Sequence, residues 1–445
     1  MQKIKKFTLP LILLAAFIIR LISINQSLWL DEATSALVAR MSLTNIFTKF
    51  LPNDFHPPLY YLVLKYWVSI FGSSEVALRF PSIIFGVGTI YIVYLITKKY
   101  FSKNTGLVAA ALLSTSGLAI YYSQEARMYT LAAFLVTLSF YYFIENRWKS
   151  FATTVVLIGL TDYVSLFILP VYLLINPKVW KKTLTSFIPL GIGFLLWLPI
   201  FIRQISAGSS VVGSAWWNIL GTVTFKNIEL IPVKFILGRI SFDNKTLYGA
   251  VVLFTFIVFG YALILVRQKA RAFWYWLVIP ILIGVLISFK VPSLTYFRFL
   301  FCLPAFYILV AYGVERMGKY KYVLLGAILT VNLLSSFYYL LNPKFQREDW
   351  RSAAATIGSD AVVFPKNSHE EALIYYGKAS QIIDVSSIEP SNRVIWLSRY
   401  VWEITDPEDL TRAKIEKLGY TKAGEYNFNG VVFYRYTKNS YAYLY

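Results

Sequence analysis

Two adjacent carboxyl groups, Asp31 and Glu32, follow the first long apolar stretch of the sequence, within residues 29–33. Neighbouring side chains on a helix point about 100° apart, so the two groups cannot share one task. A positioned carboxylate can take a proton from an attacking hydroxyl or amine. We expect Asp31 to be such a general base, facing a cavity, and Glu32 to orient a neighbouring group. An acidic pair also suits the positive end of a helix dipole, and on its own the pair favours that structural role.

Two further motifs in the same loop supply a histidine and an arginine. His56 precedes two prolines, which fix the start of the next helix and hold the imidazole at the level of the lipid headgroups. Arg79 stands where the next apolar run begins, at the depth of lipid phosphates. A solvated turn is the structural alternative for His56, and an interfacial arginine that reaches up to the headgroups explains Arg79 equally well.

A third motif, residues 121–129, joins two apolar runs without a turn-forming glycine or proline and contains Tyr122, Glu125 and Arg127. An arginine held by a nearby carboxylate suits a lipid phosphate, because the planar guanidinium group can bind two phosphate oxygens at once. The tyrosines fit such a site, and an aromatic belt at the membrane surface explains them equally well.

The composition places the chain in a bilayer, since 57% of its residues are hydrophobic and only 15% are charged. The net charge of +20 lies entirely in the first 341 residues, because residues 342–445 hold 13 basic and 13 acidic groups. Basic residues between apolar runs indicate orientation in a membrane, so lipid rather than nucleic acid is the expected partner. The single cysteine, Cys302, excludes an intrachain disulfide and a cysteine-based zinc site.

The apolar runs predict a mainly α fold, a polytopic bundle of about eleven transmembrane helices with a small C-terminal α/β domain. The predicted spans are residues 7–25, 80–97, 105–122, 128–144, 151–161, 163–175, 184–204, 247–266, 273–289, 299–315 and 322–341. Residues 57–72 are short for a span and are expected to form an interfacial helix. The first run is expected to be an uncleaved anchor rather than a signal peptide.

Basic clusters in alternate short loops predict a cytoplasmic N-terminus. This orientation places eight of the ten acidic residues of the first 341 at the outer face: Asp31, Glu32, Asp54, Glu75, Glu125, Asp162, Glu229 and Asp243. Ionisable groups near a bilayer are costly without a role, so we expect the functional site on that face. The alternative is that these loops are simply solvated.

Two domains are predicted: a transmembrane domain of residues 1–341, whose first outer loop is residues 26–79, and an extracytoplasmic domain of residues 342–445. The second domain shows helix-like segments at 349–357 and 406–418, and strand-like runs at 361–364, 393–397 and 431–436. From its position alone, we expect it to cover the outer opening and to select the acceptor.

The motifs of residues 29–130 resemble, in their order, those of C-type membrane glycosyltransferases, the group of protein O-mannosyltransferases and aminoarabinose transferases. The matching elements are Leu30–Asp31–Glu32–Ala33, His56–Pro57–Pro58–Leu59–Tyr60, Gly72 with Glu75, Leu78–Arg79 with Pro81, and the run from Tyr122 to Tyr129. Arg298, next to Phe297, resembles a later arginine-aromatic element, and residues 349–351 resemble the start of the outer domain in bacterial relatives.

The resemblance implies inverting transfer of a sugar from a polyprenyl-phosphate donor to a protein, lipid or glycan acceptor on the outer face. Asp31 is then the catalytic carboxylate and Glu32 its partner. The residues implied in donor binding are His56, Arg79, Tyr122, Glu125, Arg127 and Arg298. Asp162 stands where relatives often have a histidine, which leaves its role undecided.

No P-loop or dinucleotide fingerprint occurs in the sequence, which agrees with a lipid-linked sugar as donor rather than a cytoplasmic nucleotide sugar. The sequence requires no cofactor and leaves dependence on a divalent metal open. A polytopic transporter or lipid flippase is the main alternative, and it should bury ionisable groups near the middle of several spans. A membrane anchor that only presents the C-terminal domain is the second alternative.

Overall fold

Helices form most of the computed structural model, which describes residues 2–209, 217, 221–365, 369–389 and 391–438. The helices of residues 1–341 are α1 (Gln2–Leu21), α2 (Leu30–Arg40), α3 (Leu43–Asn45), α4 (Leu59–Phe71), α5 (Glu75–Tyr100), α6 (Lys103–Ser114), α7 (Gly117–Ser123), α8 (Tyr129–Ile144), α9 (Trp148–Gly159), α10 (Leu169–Ile175), α11 (Trp180–Ser209), α12 (Phe225–Leu237), α13 (Lys245–Ile264), α14 (Arg271–Ser288), α15 (Leu303–Arg316) and α16 (Lys321–Leu341). They are followed by α17 (Trp350–Ile357), α18 (Glu371–Tyr375), α19 (Trp402–Thr405) and α20 (Leu410–Lys417).

The chain is a multi-pass membrane protein. Within the described residues, six helical stretches are long and apolar enough to cross a bilayer: Glu75–Tyr100, Pro177–Gly208, Lys245–Ile264, Gln268–Ser288, Tyr296–Arg316 and Gly318–Leu341. The pair α6 and α7 passes the same test as one span bent by 62°. Shorter apolar helices occupy further predicted spans, as in Thr8–Leu21 and Tyr129–Ile144. The count of eleven spans stays a prediction.

The bend between α6 and α7 follows from local sequence. Ser116 caps α7 by accepting a hydrogen bond from the Ala119 amide at 3.5 Å, which ends the preceding helix and starts a new one. The buried Arg20 side chain of α1 donates to the carbonyl of Ser114 at 3.1 Å and to Oγ of Ser123 at 3.0 Å. Arg20 therefore links both sides of the bend and fixes where the loop after α7 begins.

One predicted helix differs in its bounds from the structure, and one helix was not predicted. The stretch expected at residues 57–72 is helical as α4, over Leu59–Phe71. The sequence pattern did not predict α12, over Phe225–Leu237, whose apolar residues are interrupted by charged ones. α12 matters for the site because it ends directly before Arg239.

A four-stranded sheet lies in the C-terminal part of the described chain: β1 (Ala361–Val363), β2 (Val394–Ser398), β3 (Tyr420–Phe428) and β4 (Val431–Lys438). Its order is β1-β2-β4-β3, with β1 and β2 parallel and the other pairs antiparallel. The predicted strands are confirmed as β1, β2 and β4. β3 was missed because its outward residues are mostly polar and exposed, although Asn429 and Gly430, both at positive φ, close a tight hairpin to β4.

The chain forms two compact units. The first comprises Met1–Ile24, Ser42–Gly72 and Val76–Asn342, and the second comprises Asn25–Met41, Ser73–Glu75 and Pro343–Tyr445. The second unit therefore combines the C-terminal sheet with α2, which carries Asp31 and Glu32. Its core packs Val363, Ile395, Leu397, Ile415, Tyr420 and Tyr436.

Candidate active site

The acidic pair lies in the first turn of α2, within the second unit. Glu32 is completely buried, whereas Asp31 is half-buried. The Nε atom of Arg347 lies 3.8 Å from Oε2 of Glu32, and 2% and 0% of these two side chains are exposed. The backbone amide of Arg347 donates to Oε1 of Gln26 at 2.9 Å. The negative charge of Glu32 thus compensates the positive charge of the buried Arg347 side chain, and Gln26 holds the backbone of Arg347 in place.

A further carboxyl group, Glu348, faces the same part of α2. Its two oxygens accept hydrogen bonds from Nε1 of Trp350 at 2.9 Å and from the hydroxyl of Tyr400 at 3.0 Å. Burial raises the pKa of Glu348, and the negative charge of Asp31 raises it further. Asp31 is therefore within electrostatic reach of Glu348. Glu348 was not among the predicted site residues, because more than 300 residues separate it from Asp31 along the chain.

Two motifs that are distant in sequence meet at Glu75. The guanidinium group of Arg351 donates from Nη2 and Nε to Oε1 of Glu75, at 2.8 and 3.1 Å. Nη2 also donates to the carbonyl of Asn25 at 2.6 Å, and the hydroxyl of Tyr376 reaches Oε1 of Glu75 at 3.1 Å. The motif at residues 349–351 thereby holds Glu75 at the start of α5.

In the first unit, His56 is paired with Asp54. Nδ1 of His56 lies 3.4 Å from Oδ1 of Asp54, and the hydroxyl of Tyr61 donates to Oδ2 at 2.7 Å. Burial raises the pKa of Asp54, but the His56 ring and its hydrogen bond, with Arg127 and Tyr61, outweigh burial and hold it at about 2. The side chain of Gln204 donates to the carbonyl of His56 at 3.3 Å. Asp54 was not among the predicted site residues, yet it is the carboxylate that fixes the His56 ring.

Two of the three predicted arginines of the first unit, Arg79 and Arg127, are buried, and the third, Arg298, is half-buried. Arg79 is 1% exposed and donates from Nη1 to the carbonyl of Ile24 at 2.8 Å. Arg127 is 5% exposed and acts electrostatically on Asp54. A side chain covered by protein does not reach the membrane surface, so the interfacial alternative for Arg79 does not fit. The roles of both arginines in donor binding stay predictions.

A third arginine, Arg239, joins the aromatic residues of the motif at 121–129. Its Nη1 atom donates to the hydroxyl of Tyr121 at 2.6 Å, and its guanidinium carbon lies 4.7 Å from the centre of that ring. Its charge interacts with Tyr122, Glu125 and Tyr296. The cluster therefore gathers a cation, a carboxylate and three phenol rings.

The approach of Arg239 to this cluster depends on a glycine. Gly238 ends α12 with φ of 65°, a conformation that favours glycine. A Cβ atom at this position would lie 3.0 Å from the backbone carbonyl carbon of Gly117, at the start of α7. Arg239 was not among the predicted site residues, because no recognisable motif surrounds it in the sequence.

Comparisons with known proteins agree with this architecture. Residues 55–206 match the family of dolichyl-phosphate-mannose-protein mannosyltransferases. ArnT from Cupriavidus metallidurans in the apo state has 12% sequence identity and a TM-score of 0.57, with 97% of this chain and 98% of that chain covered. The chain has the C-type glycosyltransferase fold. The resemblance predicted from the motifs is confirmed.

Other structures with the C-type glycosyltransferase fold are similar to this chain. ArnT bound to undecaprenyl phosphate has 12% identity and a TM-score of 0.54, covering 96% of this chain and 97% of that one. Oligosaccharyltransferase AglB from Archaeoglobus fulgidus, in complex with an inhibitory peptide and a dolichol-phosphate, has 14% identity and a TM-score of 0.53, covering 98% and 75%. A protein of Aquifex aeolicus (strain VF5), described as uncharacterized, is 29% identical over 208 residues, which cover 40% of this chain and 42% of that protein.

Two remaining residues of the glycosyltransferase motifs have local contacts. Arg298, beside Phe297, donates from Nη1 to the carbonyl of Pro292 at 3.3 Å. Oδ2 of Asp162 accepts hydrogen bonds from the amide and hydroxyl of Ser165, at 2.9 and 2.6 Å, and so starts the next helical turn. Among the described residues, no group of three or more His, Cys, Asp or Glu side chains is arranged to hold a metal ion.

Proposed function

We propose that this protein is an inverting glycosyltransferase. It moves a sugar, a hexose or a pentose, from a polyprenyl-phosphate donor to a protein, lipid or glycan acceptor at the extracytoplasmic face of the cell membrane. The observation that carries the proposal is the shared fold over nearly the whole chain with ArnT, which has been solved bound to undecaprenyl phosphate. The match of residues 55–206 to mannosyltransferases of lipid-linked sugars supports the same donor class.

Donor binding is assigned to the cations of the first unit. Breaking the bond between the sugar and its phosphate leaves a polyprenyl phosphate with an additional negative charge, which needs positive charge rather than a proton. Arg127 is buried, where electrostatic interactions are stronger than in water, and Arg239, which the motifs did not predict, is solvent-exposed and donates to the Tyr121 hydroxyl at 2.6 Å. Arg79, Arg298 and the paired His56 complete the predicted set. Tyr122, with Tyr129 5.5 Å away between ring centres, supplies an aromatic surface for the donor.

Acceptor activation is assigned to Asp31. An acceptor hydroxyl or amine is a weak nucleophile until a carboxylate takes its proton during attack on the sugar carbon. In a single displacement the new bond forms on the face opposite the phosphate, so the configuration at that carbon inverts. Glu32 is fully buried and lies 3.8 Å from Arg347, and Asp31 is the less buried of the two carboxyl groups, so the proton is assigned to Asp31.

The transporter alternative requires ionisable groups exposed to a pathway near the membrane centre. Arg20 is the buried cation of α1, and its guanidinium group donates to backbone carbonyls of Ala16 and Ser114 and to Ser123. Those contacts give Arg20 a structural task at the bend of α6 and α7. They weigh against an alternating-access site at this position.

The function is tested with the purified full-length protein in lipid vesicles. Radiolabelled polyprenyl-phosphate hexoses and pentoses, and nucleotide sugars as comparison, are supplied with protein, lipid and glycan acceptors. We expect label to reach one acceptor class from a lipid-linked donor, with inverted configuration in the product, and none from nucleotide sugars. Movement of labelled lipid between leaflets without transfer to any acceptor would contradict the proposal and favour the transporter.

A further inference from the structure

We propose that Glu348 is a positioning residue for Asp31. The C-terminal part of the second unit, residues 343–438, would thereby control how readily Asp31 accepts a proton. This inference rests on the proposed function. It goes beyond the resemblance, which assigns no role to Glu348. It also changes the expectation for the C-terminal domain, from a cover that selects the acceptor to a part of the catalytic machinery.

The Glu348 carboxyl group is fixed at both oxygens. Trp350, which donates to one oxygen, is completely buried, and its ring lies 5.2 Å from the ring of Tyr400, which donates to the other. The two donors therefore form a packed wall that prevents the carboxyl group from turning away. Because both oxygens of the buried Glu348 carboxyl group accept a hydrogen bond from a fixed donor, the group has one orientation.

The segment around Glu348 runs beside α2 through consecutive contacts. Arg347 pairs with Glu32 at 3.8 Å, and the next residue, Glu348, interacts electrostatically with Asp31. The amide of Arg351 donates to Oγ of Ser27 at 3.1 Å, just before α2 begins. These contacts hold the segment of Arg347 and Glu348 beside the first turn of α2, where the charge of Asp31 acts on Glu348 and Arg347 compensates Glu32.

The charges that face Glu348 come from three places. Asp31 on α2 and Arg347 in the same segment act on it directly, and Tyr400 donates a hydrogen bond. His369 lies behind Tyr400, with 6.3 Å between the ring centres, and histidine is itself a titratable side chain. Any pH effect at Glu348 must therefore be separated from one at His369.

The chemical consequence follows from the sign of the charge. An ionised Glu348 places a second negative charge near Asp31, which favours the transfer of a proton to Asp31 from the acceptor. A protonated Glu348 carries no charge and therefore does not favour proton transfer to Asp31. Burial raises the pKa of Glu348 above its ordinary value of 4.5, so transfer should increase as pH rises through that raised value.

The test measures the rate of transfer by the full-length protein from acid to mildly alkaline pH, with a polyprenyl-phosphate sugar as donor. Glu348→Gln keeps the size of the side chain but cannot ionise. We expect only the part of the rise in rate that follows ionisation of residue 348 to disappear, and the variant to be up to about tenfold slower on the alkaline side, the effect of one pKa unit on a proton transfer. Tyr400→Phe removes a hydrogen bond that lowers the pKa of Glu348, so that part of the rise should move to higher pH.

Glu408→Gln, at an exposed acidic position of the same unit, and His369→Gln are the controls, and both should keep that part of the rise as in the wild type. A purely structural role predicts equal loss at every pH for Glu348→Gln, and that result would overturn the inference. If Asp31→Asn transfers sugar normally, the proposed function fails instead. If Asp31→Asn is inactive while Glu348→Gln keeps the wild-type profile, only this inference fails.

Discussion

Arg347 and Glu32 form an ion pair inside the second unit, with 3.8 Å between Nε and Oε2 and almost no exposure of either side chain. The partners come from residues that lie more than 300 positions apart in the sequence. A buried charge that loses its partner is strongly destabilising, whereas removal of both charges often costs little. The pair therefore ties the acidic motif of α2 to the C-terminal part of the chain.

The first prediction concerns this pair. Glu32→Gln leaves Arg347 buried without a compensating charge and should reduce the free energy of unfolding of the second unit by about 3–5 kcal/mol. Thermal and denaturant unfolding of the purified protein measures the loss. Arg412→Gln removes a partner of an exposed pair, Arg412 with Glu416, and should cost less than about 1 kcal/mol. Similar losses in both variants would argue against a buried pair.

The second prediction concerns Asp54. Its pKa is lowered from 3.8 to about 2 in the folded protein, so its ionised form adds stability above the unfolded value, and this stability disappears as pH falls through about 2. The contribution is about 2 kcal/mol. Asp54→Asn should lose it at neutral pH and show no further loss between about pH 4 and about pH 2 from this group. An unchanged acid profile in Asp54→Asn would show that the pair with His56 does not lower that pKa.

The third prediction concerns Arg239. Because its guanidinium group lies among Tyr121, Tyr122 and Glu125, Arg239→Gln should weaken binding of a polyprenyl phosphate by about tenfold or more, the value of a hydrogen bond to a charged group. Binding is measured by titration with undecaprenyl phosphate. Arg267→Gln, at an exposed position after α13, is the matched control and should bind normally. Equal affinity in both variants would remove Arg239 from the donor site.

The fourth prediction concerns topology. An odd number of spans with a cytoplasmic N-terminus places Glu408 outside and Arg267 inside. Single cysteines at these exposed positions, in a Cys302→Ala background, should react differently with a membrane-impermeant maleimide applied to intact cells. We expect labelling at position 408 and none at position 267. Labelling of both positions would show that the span count or the orientation is wrong.

Much of the architecture could be predicted from the sequence because its causes are local. Apolar runs specify helices by length and composition, and short runs of β-favouring residues specified β1, β2 and β4. The bend after Ser114 was not predictable, since Arg20 on another helix helps to fix it. β3 was missed because an edge strand with one exposed face carries little apolar pattern.

The residues of the candidate site could be predicted only where they belong to a recognisable sequence motif. Asp31, Glu32, His56, Arg79 and Arg127 stand in recognisable local sequences. Asp54 was visible beside His56 but gains its role from Tyr61 and Arg127. Arg239 and Glu348 have no local signal, because what distinguishes them is proximity to residues far away in the chain. Pairing of that kind is a property of the fold.

The central claim, that Asp31 is the base of a lipid-linked sugar transfer, is tested most directly by a single-turnover measurement on Asp31→Asn. We expect the variant to bind the polyprenyl-phosphate sugar with wild-type affinity but to transfer it at least about a hundredfold more slowly, the usual contribution of a general base. Glu229→Gln, an exposed acidic position on the same predicted face, should transfer normally. Wild-type transfer by Asp31→Asn would contradict the account.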